Sequence, residues 1–201
     1  VTDMNAMFSN ATTFNQDIGS WDVSSVTNMS SMFTSAQAFD QNIGLWNVSS
    51  VTDMSSMFNS AINFNQDISL WDVSSVTTLE ATFRATLFNQ DIGAWDVSSV
   101  TNMGGTFGSA SSFNQSLALW DVSNVTNLNG TFFEASSFNQ DLGTWDVSSV
   151  TAMNGTFGNA TSFNQDLGSW DVSAVNSTFP NGMSGMLSSS GLSTANYDAT
   201  L

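Results

Sequence analysis

Two columns of aspartate are the residues here whose type and spacing could do chemistry. One follows a tryptophan: Asp22, Asp72, Asp96, Asp121, Asp146 and Asp171, with Asn47 in the second place. The other follows a glutamine: Asp17, Asp67, Asp91, Asp141 and Asp166, with Asn42 and Ser116 in the remaining places. Stacked in register at ~4.8 Å, neighbouring carboxylates repel by roughly 1 kcal/mol in water and by more in a lower dielectric. Something must offset that repulsion. Backbone N–H groups of the turn that follows each aspartate would do so. Calcium between layers is the sharper alternative, because carboxylate and carbonyl oxygens are its ligands. The acids it would use are Asp17, Asp22, Asp67, Asp72, Asp91, Asp96, Asp141, Asp146, Asp166 and Asp171. The clean replacement by Asn47 and the lack of a calcium-loop motif favour the turns. A paired-carboxylate hydrolase is the enzymatic reading, with acids such as Asp17 and Asp22. Catalysis needs one special site, whereas these acids return equally in most repeats. The chain therefore reads as not an enzyme, with no cofactor unless calcium.

Composition narrows the chemistry further. Among 201 residues there is one Lys or Arg, Arg84, against 17 acids, with no His and no Cys. That removes an imidazole base, a thiolate nucleophile, a zinc site of the usual kind, a Schiff-base lysine and a P-loop. A formal net charge of -16 repels a polyanion, so neither nucleic acid nor an anionic membrane is an expected partner. No run of 18 apolar residues exists, so no membrane insertion is expected. The chain opens at Val1, inside a repeat and without Met, and no targeting signal is read from it.

The elements that must position these acids repeat. Trp21, Trp46, Trp71, Trp95, Trp120, Trp145 and Trp170 are 25, 25, 24, 25, 25 and 25 residues apart. A fixed period in this range means stacked units. Repeats begin at Val1, Val26, Val51, Val76, Val100, Val125 and Val150. Apolar residues at Val26, Met29, Met32, Phe33 and Ala36 describe one face of a short helix or 3-10 turn, with Ser24 or Ser25 as N-cap. Phe-Asn-Gln-Asp-Ile then alternates as a short parallel strand would. One turn and one strand cannot bury a face alone, so copies stack and share phenylalanine and tryptophan columns. The expected fold is an α/β solenoid of seven coils over residues 1–174. In the short fourth repeat the deletion falls within Phe83–Phe88, Ala85 takes the small-residue column, and Glu80 and Arg84 sit at helical ion-pair spacing. Residues 175–201, with Pro180, Gly182, Gly185, Gly191 and Tyr197, read as a divergent C-terminal cap or the start of a following domain. No equivalent cap precedes Val1, which predicts missing upstream sequence or a docking surface for another copy.

Three polar columns complete the pattern. The glutamines Gln16, Gln41, Gln66, Gln90, Gln115, Gln140 and Gln165 suggest an amide ladder in which each pairs with the next coil. The threonines Thr2, Thr27, Thr52, Thr77, Thr101, Thr126 and Thr151 form a hydroxyl row, explained by capping or, less simply, by ice binding. Asn-x-Ser/Thr sequons occur at Asn10, Asn28, Asn47, Asn114, Asn124, Asn129, Asn154, Asn159 and Asn176. If the host glycosylates, they would coat the surface.

The units Trp21–Phe33 and Phe14–Trp21 resemble the roughly 25-residue repeat of the BspA-like leucine-rich-repeat surface proteins of bacteria. The resemblance covers about residues 1–174, and the tail from Gly191 to Asp198 is similar to the ending of such arrays. It implies a leucine-rich-repeat-like solenoid at the cell surface or outside the cell, acting in adhesion. The family defines no catalytic residues. Expected partners are a protein or glycan on a cell surface, bound with avidity by a repeated face, or other copies of the chain in a surface layer or filament.

Overall fold

The computed structural model describes residues 1–175 and 182–196. Asn176, Pro180, Tyr197 and Asp198 lie outside the described residues. Each repeat closes one coil, and its shape follows from where the backbone N–H groups go. In coil 2, Met29, Ser31, Phe33 and Ser35 donate forward to the carbonyls of Asp53, Ser55, Met57 and Asn59 in coil 3, at 2.9, 2.8, 2.8 and 2.7 Å. The alternate donors close tight turns instead, Met32 to Met29, Thr34 to Ser31 and Ala36 to Phe33. Donors divided in this way cannot also form an i→i−4 ladder. The turns further require left-handed backbone, with φ of +56° at Ser31 and +57° at Ser35. That conformation has no place inside a right-handed helix. The expected helix therefore does not form, and neither Ser24 nor Ser25 caps one. Val26, Met29, Met32, Phe33 and Ala36 are nevertheless all buried, because successive turns bring them to one side.

The expected strand is missing for a second reason. Phe39 and Ile43 are buried, as alternation predicts. Yet the N–H of Asp40 donates to Oδ1 of Asn15, and that of Asn65 to Oδ1 of Asp40, both at 3.0 Å. A side chain takes the place that a neighbouring carbonyl holds in a β-ladder. Parallel pairing shrinks to single-residue bridges along Asp3, Asn28, Asp53, Thr78, Asn102, Asn127 and Ala152. The only helical residues among those described are 194–196. The chain is thus not an α/β solenoid of leucine-rich-repeat type; the described residues form a stack of coils built from turns, almost without regular secondary structure.

Aromatic rings fill the inside. Within a coil two phenylalanines lie face to face: Phe33 and Phe39 at 4.0 Å and 7°, Phe58 and Phe64 at 3.9 Å and 5°. Between coils the same columns continue, Phe33 to Phe58 at 5.6 Å and Phe107 to Phe132 at 5.5 Å. The indoles run alongside, Trp95 to Trp120 at 6.5 Å and 2°. Each buried indole also finds an acceptor one coil back, as Trp71 Nε1–H does at Ile43 O, 3.1 Å away. Burying such rings, at about 25 cal/mol per Å² of apolar area, offsets the lost backbone entropy of a chain with few regular elements.

The short coil 4 corrects one assignment. Thr86, not Ala85, occupies the buried alanine column, and its hydroxyl bonds to Phe83 O at 2.7 Å. Ala85 instead takes the left-handed position, with φ of +54°. The deletion lies just after Thr86, in the link to Phe88. Beyond coil 7, residues 182–196 lay down part of one more layer. Gly155, Phe157 and Asn159 donate forward to Ser184, Met186 and Ser188, and Asn196 Nδ2 reaches Asn164 O at 2.8 Å.

Candidate binding surface

Every aspartate in the two columns uses an oxygen to close its own turn. Asp22 Oδ1 accepts from Ser24 N at 3.0 Å and from Ser24 Oγ at 2.6 Å; Asp72 and Asp96 repeat this with Ser74 and Ser98. Asn47 makes the same bonds to Ser49. In the other column Asp17, Asp91, Asp141 and Asp166 accept from the N–H of Gly19, Gly93, Gly143 and Gly168, and Asp67 from that of Ser69. A third column, not singled out from the sequence, does likewise: Asp3, Asn28, Asp53, Asn102 and Asn127 each close a turn two residues on. The carboxyls of Asp22, Asp67, Asp72, Asp96, Asp146 and Asp171 are held below the ordinary value. The hydroxyl of the serine two residues on is the larger cause and its N–H the smaller. Repulsion from Asp96 on Asp72, and from Asp171 on Asp146, acts in the opposite sense and is outweighed. Among the described residues no group of three or more acids could hold a metal ion.

The polar ladder runs differently from expectation. Gln140 Nε2 donates backward to Asn114 Oδ1 at 2.9 Å, as Gln41 does to Asn15, rather than to a glutamine of the next coil. The asparagine one place earlier carries the stack. The threonine hydroxyls cap no helix; each of Thr27, Thr52, Thr77, Thr101, Thr126 and Thr151 stays exposed and bonds to the threonine carbonyl one coil back. Glu80 and Arg84 form no ion pair, since the segment is not helical and Glu80 Oε2 accepts from Asn102 Nδ2 at 2.9 Å.

One place breaks the regularity. A groove of about 440 Å³ runs from coil 4 to the edge of coil 7, at Asn154, on the turn side of the stack. Arg84 bounds it on one side and Phe133 on the other, with Gly105 and Gly108 between them. Both residues belong to one column, which otherwise holds Ser9, Thr34, Asn59, Gly108 and Gly158. The signal was present in that column: its two longest side chains flank a glycine. Gly105 has φ of +65°, but Ser31, Ser56 and Ala81 adopt similar angles at equivalent places. Glycine there is not forced by the backbone; its effect is to leave the floor open. Phe133 lies against coil 7, where a Cβ on Gly158 would come within 3.0 Å of its ring. Phe133 as a residue remains 37% exposed. Elsewhere Leu45, Leu70 and Leu119 project 85%, 82% and 85% exposed from the loop before the tryptophan.

No helix among the described residues is long and apolar enough to cross a membrane. Comparison with curated proteins and with solved structures returns no match. A family model described as "Mycoplasma protein of unknown function, DUF285" matches residues 1–87 and 77–196. Its two overlapping matches run through all seven coils and the partial layer after them, and the chain belongs to that family of repeat proteins.

Proposed function

We propose that the chain is a non-enzymatic binding scaffold, displayed outside the cell or on its surface, with the stack of coils serving as a rigid support. The observation that carries this reading is the groove of coils 4 to 7. It is the place where the repeat abandons its own pattern and gathers a cation, an exposed aromatic ring and an open floor. Concave sites with a few placed polar groups are where ligands bind. The aspartates of the two columns support a non-catalytic role, because each is equivalent to its neighbours in the column and already engaged in a turn. Resemblance to BspA-like surface proteins supports the extracellular placement and an adhesive use. A net charge of -16 argues for partners that are not polyanions.

The test is an array of surface glycans and proteins probed with the purified chain, with and without calcium. Saturable binding to at least one class supports the reading. Signal no higher than that of a heat-denatured control across the whole array overturns it.

A further inference from the structure

We infer that the groove between Arg84 and Phe133 is a saccharide site, and that its ligand is a terminal sugar bearing one carboxylate. The inference rests on the binding-scaffold reading and names the ligand class for it. Arg84 is the chain's sole Lys or Arg and makes no ion pair among the described residues. A guanidinium fork matches a carboxylate in a two-bond geometry. Phe133, two coils away at about 10 Å by the ~4.8 Å spacing of hydrogen-bonded layers, presents the exposed ring on which the C–H face of a pyranose can lie. Glycines at 105 and 108 open the floor between these two contacts. Polar rims for hydroxyl groups come from Glu80 and Asn129. The side-chain Oδ1 of Asn129 takes Asn154 N–H at 2.7 Å, and its NH₂ has no partner among the described residues.

Two competing ligand types fit less well. A peptide added as a strand needs free backbone donors and acceptors. Here the N–H groups of Ala81, Gly105 and Phe107 already reach Gly104, Asn129 and Thr131 in the adjoining coil. A polyanionic glycan would meet the field of a chain carrying -16. A single carboxylate at the end of an otherwise neutral glycan gains Arg84 and avoids most of that repulsion.

The experiment is a calorimetric or NMR titration with methyl β-glucuronide, its methyl ester and methyl β-glucoside. Arg84→Asn copies Asn59, Phe133→Ser copies Ser9, and Gly108→Asn refills the floor with the residue of coil 3. Melting midpoints of the variants check that each still folds. The acid is expected to saturate the wild-type chain. The ester, the glucoside, Arg84→Asn and Phe133→Ser should each weaken binding by about tenfold or more, and Gly108→Asn should abolish it. No saturation by the acid, or equal binding of acid and ester, overturns the assignment, and the ester comparison does so without altering the protein. Array binding that survives in Arg84→Asn removes this site while leaving the scaffold reading intact. An array blank with the wild type removes the scaffold reading and this site with it.

Discussion

The N–H of Asn139 donates to Oδ1 of Asn114 in the coil before it, at 2.9 Å, and Gln140 Nε2 shares the same oxygen. This bond stands where a β-ladder would use a carbonyl, and it repeats from Asn15 to Asn164. Asn114→Ala removes one acceptor from two donors and should cost about 1–2 kcal/mol in urea unfolding. Asn114→Asp keeps the acceptor, as Asp40 does for Asn65 at 3.0 Å, and should be nearly neutral. Equal losses for the two substitutions would show that the oxygen is not what matters.

Indole donors reach backward in a parallel ladder, and the first tryptophan stands apart from it. Trp95 is 3% exposed and bonds to Ile68 O at 3.2 Å, whereas Trp21 is 38% exposed. Trp95→Phe loses a bond and leaves space, a cost of about 2–3 kcal/mol. Trp21→Phe should cost less than about 1 kcal/mol. Denaturant midpoints of the two variants, measured side by side, check the ordering; a reversed order contradicts it.

Left-handed backbone at Ala81, with φ of +53°, repeats in a place where coils 5, 6 and 7 use Gly105, Gly130 and Gly155. A side chain there costs roughly 1 kcal/mol, partly balanced by the greater freedom of glycine when unfolded. Ala81→Gly should raise stability by up to about 1 kcal/mol, and Ala81→Val should lower it by more than that. Thermal melting reads both. A stabilised valine variant would contradict the backbone geometry.

Acid should loosen the stack through the serine-bonded aspartates. The carboxyls of Asp72 and Asp96 are depressed by Ser74 and Ser98, so the folded state holds their protons less tightly than the unfolded chain does. Their contribution is complete above the unfolded value of about 4 and is lost as the pH falls through the lower folded values. The urea midpoint should be flat from pH 7 to about pH 5 and fall below about pH 4. Replacing Asp72, Asp96 and Asp146 together by Asn, on the precedent of Asn47, should flatten the acid limb. A triple variant that keeps the full acid limb would assign it to other groups.

The residues alone determined the unit and what it buries. A 25-residue period, two phenylalanine columns and a tryptophan column leave no other way to cover so much aromatic surface than to lay copies on one another. The turn role of Asp22 and Asp17 was also legible, because Asn47 and Asn42 can close the same turn and cannot carry the same charge. Spacing could not say how the backbone is paired. Offsets of 0, 3, 6, 7 and 10 look alike on a helix and on a run of turns, and only the destination of each N–H separates them. In the stack, Ser31 and Phe33 reach the next coil while Thr34 and Ala36 turn back on their own, and Asn114 takes a bond that a strand would have given to a carbonyl. Hydrogen bonds between coils join residues far apart in sequence, so their pattern exists only once the layers have met. The groove belongs to the tertiary structure for the same reason: Arg84, Gly108 and Phe133 are distant along the chain and adjacent only across it.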